Sequence, residues 1–152
     1  MISRPPENPL QRAIVLLLRA DAALAAKLAR IRDLSPATPA VVDEVREGQS
    51  YPYVRVGDHL STQANDLTSF GRRVIETIHV WTRTGSMGPG QEIVDLIVGL
   101  LDHQPESLTD LLVAYGHRCV SVRHEFSQAL DDPDPEIRHH VIRFRIETAQ
   151  LS

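Results

Sequence analysis

The chain has 152 residues, 42% of them hydrophobic and 24% charged, the size and balance of one globular domain with a real core. Its formal net charge of −4 excludes the strongly basic footprint of a dedicated nucleic-acid binder. The single cysteine, Cys119, excludes an internal disulfide framework and a multi-cysteine zinc site, and reads as a small buried residue.

Met1 to Pro6 lacks the charged start, apolar run and cleavage site of a secretory leader. The longest apolar stretch, Ala13 to Leu18, is too short to span a bilayer, so synthesis in the cytoplasm and no membrane contact are expected. Residues 1–8 read as a flexible N-terminal arm, 9–148 as a single domain and 149–152 as a short C-terminal tail. Asn8 followed by Pro9 reads as a helix start. Leu10, Ile14, Leu17, Leu24, Leu28 and Ile31 then carry a helical period to about Arg32, interrupted at Asp21. Lys27, Arg30 and Arg32 suit the negative end of the helix dipole. Ser35-Pro36 and Thr38-Pro39 are the stop.

Val41 to Val45 is a candidate short strand. Tyr51 to Gly57 alternates, with Val54 and Val56 on one face, and Pro52 places it at a strand start or an edge. Residues 58–71 are polar, contain Asn65-Asp66 and end in Gly71, which predicts a long loop with a purpose. Arg72 to Arg83 is a strong strand. Val74, Glu76, Ile78, Val80 and Thr82 share one face, and Ile75, Thr77, His79 and Trp81 share the other, so both faces are expected to be at least partly covered. After the glycine turn at 85–90, Ile93, Leu96, Ile97, Leu100 and Leu101 mark an amphipathic helix over 91–103.

The segment from Pro105 to Tyr115 adds a short helix or strand. Arg118 to Phe126 alternates, with Val120, Val122, His124 and Phe126 on one face and Cys119, Ser121, Arg123 and Glu125 on the other. An Asp-Pro turn leads to a last strand, Ile137 to Glu147, antiparallel to its predecessor. The sum is an α+β, two-layer domain: a mostly antiparallel four- to five-stranded sheet with an N-terminal helix and a second helix packed on it.

No constellation carries chemistry. The seven histidines include no pair at zincin spacing, and His139 and His140 point to opposite faces of a strand. Asp131, Asp132 and Asp134 lack the glycine and closing glutamate of a calcium loop and suit a turn. The glycines at 85, 88 and 90 precede a helix without the Gly-Lys-Ser/Thr of a phosphate loop. There is no Gly-x-Ser-x-Gly elbow, and Asp43 and Glu44 face opposite ways on a possible strand. Neither a catalytic group, a metal nor a cofactor is expected. Arg143, Arg145 and Glu147 form a charged stripe that Arg123 and Glu125 extend. It reads either as a solvated face with cross-strand ion pairs or as a polar subunit interface in which arginine is favoured.

The order of these pieces resembles a known family. An Ala/Leu-rich helix leads to Pro52-Tyr53-Val54, then to Gly71-Arg72 and Val80-Trp81. An amphipathic helix ends in Leu100-Leu101, and Gly116-His117-Arg118 precedes the closing Arg143-Phe144-Arg145. Over residues 9–148 this is similar to the tail-completion, or tail-terminator, family of long-tailed bacteriophages and gene-transfer particles. The resemblance implies a structural virion protein forming a homo-oligomeric, six-membered ring at the head-proximal end of the tail. Its partners would be the tail tube protein and the head–tail connector or stopper protein, with genomic DNA passing through the ring without specific binding. Strand edges and the 58–71 loop are natural contact regions. The candidate interface residues are accordingly Asp58, His59, Gln63, Asn65, Asp66, Arg72, Arg123, Glu125, Arg143 and Arg145. Another neck protein, a connector adaptor or stopper, is the alternative. A small metal-dependent hydrolase using His117, His124 or His139 is the reading from a different class.

Overall fold

Strict alternation in the last strand organises the molecule. In the computed structural model, which describes residues 2–31 and 40–152, the elements run α1 (Glu7–Ala20), α2 (Ala22–Ile31), β1 (Val41–Val42), β2 (Tyr53–Gln63), β3 (Gly71–Arg83), α3 (Gly88–Leu101), α4 (Pro105–Leu112), β4 (His117–Asp131) and β5 (Ile137–Gln150). A 3-10 turn, Val113–Tyr115, joins α4 to β4. The strands lie in the order β1-β2-β3-β5-β4. All pairings are antiparallel except β1 with β2. No helix among the described residues is long and apolar enough to cross a membrane.

Ile142, Phe144 and Ile146 of β5 are fully buried, beside Val74, Ile78 and Val80 of β3 and Val54 and Val56 of β2. The helices cover this face with Leu10, Ile14 and Leu18 of α1, Ile93, Ile97 and Leu101 of α3, and Leu108 and Leu112 of α4. Residues with periods of two and near 3.6 thus meet in one core. At Gly90, α3 comes so close to β5 that a Cβ would sit 2.5 Å from His140 Cε1, which requires glycine at that turn.

Helix α1 starts at Glu7 instead of at Pro9, with Leu10 N–H donating to Pro6 O at 2.8 Å. Pro9 falls in the first turn, where its missing N–H has no intrahelical partner to lose. Asp21 is a true break: its backbone is extended, and its carboxylate accepts from Leu24 N–H at 2.9 Å, capping α2. The proposed stop at Ser35-Pro36 and Thr38-Pro39 lies outside the described residues. Gln150, at the end of β5, clips the start of the chain, accepting from Arg4 N–H at 2.8 Å and donating to Ile2 O at 2.7 Å.

Two local readings change, and the helix-or-strand choice at 105–115 is settled as helix. The predicted 58–71 loop is half strand: β2 continues to Gln63, with Leu60 opposite Ile75 and Thr62 opposite Arg73. A bulge between Val56 and His59 absorbs extra backbone, with Asp58 at a φ of +60°, a conformation Asp tolerates better than most residues. The strand was hidden because its polar end extends along the sheet edge beyond the apolar core. Residues 105–115 supply α4 and the 3-10 turn. In β4, irregularities between Cys119 and Ser121 and between His124 and Phe126 break the alternation. Cys119 and Val122 are both buried and Val120 is 45% exposed.

Two substitutions test this core. Phe144→Ala should lower unfolding free energy by about 3–5 kcal/mol in urea titration. Val120→Ala should change it by less than about 0.5 kcal/mol, whereas unbroken alternation would bury Val120 with Val122 and make both substitutions costly.

Candidate functional site

The sheet face turned away from the helices is where sequence-predicted residues gather. In register, β2 contributes Arg55 and Leu60, β3 contributes Arg73, Ile75, Thr77, His79, Trp81 and Arg83, and β5 contributes His139, Val141, Arg143, Arg145 and Glu147. From β4 come Arg118, Arg123, Phe126 and Gln128. This is a concentration of arginine and apolar surface on a chain whose net charge is −4.

Some of that charge is matched. Arg73 Nε donates to Glu147 Oε1 at 3.2 Å, and Arg55 reaches Asp58 at 3.4 Å. Arg143 stacks over the Phe126 ring, 4.8 Å from guanidinium carbon to ring centre, a favourable cation–π geometry. Arg123 and Arg145, by contrast, stand directly opposite each other on β4 and β5, both exposed. Among the described residues neither has an ion-pair partner. Like charges directly opposite each other disfavour the pairing of their strands.

A shallow cavity of about 600 Å³ opens on this face, with Asp58, His59, Glu125 and Arg143 in its lining beside Leu60, Ile75 and Thr77. Asp58 and His59 reach it from the β2 bulge and Glu125 from the β4 bulge, with Thr77 and Arg143 on the strands between. The other candidates are placed differently. Gln63 pairs with Arg72 at the far end of β2 and β3. Asn65 and Asp66 shape the 64–70 connection: Asn65 Oδ1 accepts from Gly71 N–H at 3.0 Å, and Asp66 Oδ1 accepts from Thr68 and Ser69 N–H at 2.8 and 2.7 Å. Those donors hold the Asp66 carboxyl below its ordinary range. Sequence reasoning placed Ile75 on this face but missed Leu60 and Phe126. For Phe126 the cause is the bulge after His124, which moves it from the predicted Val122 side to lie opposite Arg143.

A hydrogen-bonded chain runs across one end of the face. His79 Nε2 lies 2.9 Å from Asp58 Oδ2, and His79 Nδ1 lies 2.8 Å from His139 Nε2. His139 stacks on Trp81 at 3.7 Å between ring centres. Burial, followed by the neighbouring His79, pushes the His139 pKa down to about 4, so its ring is neutral near pH 7. If His79 donates to Asp58, its Nδ1 accepts from His139. The chain fixes the bulge and its aromatic neighbours. The histidines of the hydrolase reading are dispersed: His117 is buried at the start of β4, His124 contacts Ser127 Oγ at 2.8 Å, and His139 sits in the Trp81 stack. No group of three metal-ligating side chains occurs among the described residues.

Behind this face, Glu76 points into the core between His59 and Phe144 and is 1% exposed, with Oε1 lacking a hydrogen-bond partner. Burial, with a smaller contribution from Asp58, pushes its pKa from 4.5 up to about 8. The folded chain therefore holds a proton that the unfolded chain releases. The stability this gives is complete below pH 4.5 and is lost as pH rises to about 8. His139 acts oppositely, losing stability as pH falls from 6.5 through about 4. Burial lowers His117 and His140 in the same direction, so the Glu76 slope is isolated by comparison with a chain that lacks the carboxyl. Denaturation midpoints of the native chain should therefore fall relative to those of Glu76→Gln between about pH 6.5 and 8; parallel profiles would contradict the assignment.

Comparison with known proteins agrees with this architecture. The family described as Tail completion protein gp17 matches residues 12–149. A relative, the "Tail completion protein gp17" of Bacillus phage SPP1, is 28% identical over 105 residues, covering 69% of this chain and 73% of the relative. A chain from the solved structure "Virion of native gene transfer agent (GTA) particle" has the same fold, with a TM-score of 0.76 at 22% identity over 97% of this chain and 99% of that one. The chain belongs to the Tail completion protein gp17 family, a family of structural and non-enzymatic phage-tail proteins.

Proposed function

We propose that this protein is the subunit of a closed ring, of six copies, at the head-proximal end of a phage-type tail. The ring ends polymerisation of the tail tube and joins the tube to the head connector or stopper protein. The observation that carries this reading is the family match across residues 12–149. The full-length likeness to a chain of a gene-transfer particle supports a place in a virion.

The fold suits such a role. Identical subunits in a ring make head-to-tail contacts that close by rotation, so each copy needs two different free surfaces. One sheet face is uncovered by helices. Beyond Val56, β2 has no strand on its outer side among the described residues, because β1 pairs only with Val54 and Arg55. Among the described residues β4 is also an edge strand, since it pairs with β5 alone. Candidate contacts lie on this face and these edges: Asp58, His59, Glu125 and Arg143 at the cavity, Arg123 and Arg145 beside it, and Gln63, Asn65, Asp66 and Arg72 at the loop end. Genomic DNA passes through the ring without specific binding, as an acidic chain allows.

A particle lacking this chain should make tails of uncontrolled length, or tails unattached to heads, as counted by electron microscopy. Tails of normal length joined to filled heads would contradict the proposal.

A further inference from the structure

The unpaired Arg123–Arg145 couple calls for carboxylates that its own sheet does not supply, and the chain carries a matching group elsewhere. Residues 84–116 contain Glu92, Asp95, Asp102, Glu106 and Asp110 and no lysine or arginine. Three of these acids are engaged within the molecule. Glu92 bonds Lys27, Asp95 accepts from Gln91, and Asp102 accepts from His124 N–H. Glu106 and Asp110 are left exposed on α4, and among the described residues they have no ion-pair partner.

Their spacing fits. Glu106 and Asp110 are four residues apart on a helix, which sets their Cβ atoms about 5–6 Å apart. Arg123 and Arg145 are directly opposed across two strands, where Cα atoms are about 4.5–5.5 Å apart. Two parallel arginine–carboxylate pairs can therefore form in one register, with bidentate geometry available to each. Apolar surface lies near both couples: Val113 continues the α4 stripe at 51% exposed, and on the sheet face Ile75 stands opposite Arg145 with Leu60, 65% exposed, on the next strand. Arginine and apolar groups together are the composition of a protein interface. Helix α4 packs against the start of β4, with Thr109 Oγ1 bonded to Cys119 backbone, on the helical side of the sheet. Its outer stripe cannot reach the opposite face of the same molecule.

We infer that the Arg123–Arg145 side of the open sheet face receives the Glu106–Asp110–Val113 stripe of a second copy of this chain. The inference rests on the ring reading above and names the contact that would close the ring. It is a heterologous contact, since the two surfaces differ, and its strength falls with salt where the pairs reach solvent.

Charge exchange in assembling particles tests it. Arg123→Glu with Arg145→Glu should reduce completed particles roughly tenfold or more, and so should Glu106→Arg with Asp110→Arg, because each sets like charges against each other. All four substitutions together should restore completion to within a few-fold of the native level. Thermal melts of each purified variant establish that it folds. As an independent measure, Arg145→Cys with Asp110→Cys in a Cys119→Ser background should cross-link copy to copy in the assembled particle and give a ladder of multimers. Double variants that complete tails normally would overturn the contact. So would folded double variants that the combination fails to rescue, or cross-links only to another protein or none; in those cases the arginines meet a different partner, DNA included. If deleting the whole chain leaves tails normal, the ring reading itself fails, an outcome distinct from these.

Discussion

Among the described residues, helices cover one face of the sheet and leave the other bare, and the candidate contact surface follows from that asymmetry. Strand β5 enforces it. Paired along its length with β3 on one side and β4 on the other, it sends Ile142, Phe144 and Ile146 inward and Arg143, Arg145 and Glu147 outward. A shift of one residue in register would exchange those sets, burying arginine and exposing phenylalanine, so the core fixes the outer face as firmly as itself.

The outer face is only partly satisfied within the monomer. Aromatic stacking and the Asp58–His79–His139 chain settle one end of it. Arg73 and Glu147 pair near the other. Between them lie unpaired arginines, a shallow cavity and exposed apolar groups. Such a surface fits an assembly part, whose remaining partners come from outside the chain, better than an enzyme, whose reacting groups must be organised before substrate arrives. Here His79 and His139 are instead engaged with Asp58 at the bulge.

Much of this architecture was legible in the residues. Ile93, Ile97 and Leu101 announce α3, and the alternation from Val74 to Thr82 announces β3, because the covered side of that strand is apolar apart from Glu76 and Thr82. The family resemblance rested on the order of such pieces and agrees with the match over residues 12–149. The misreadings have one cause. Alternation is informative only while a strand stays in register, and Asp58, Val120 and Glu125 sit at irregularities that no hydrophobic pattern marks. The second half of β2 was lost for a related reason, since a polar strand end at a sheet edge has the composition of a loop. The cavity was therefore legible as a list of charged residues and illegible as a place: Asp58 and Glu125 are distant in sequence and line one cavity from opposite sides of β3 and β5.

The most direct test of the account is a reconstruction of the neck of an intact particle, with this chain traced in the density. The account predicts one ring of six copies between the last tube ring and the head connector. A twelve-fold position within the connector, or density for the chain elsewhere in the particle, would contradict it.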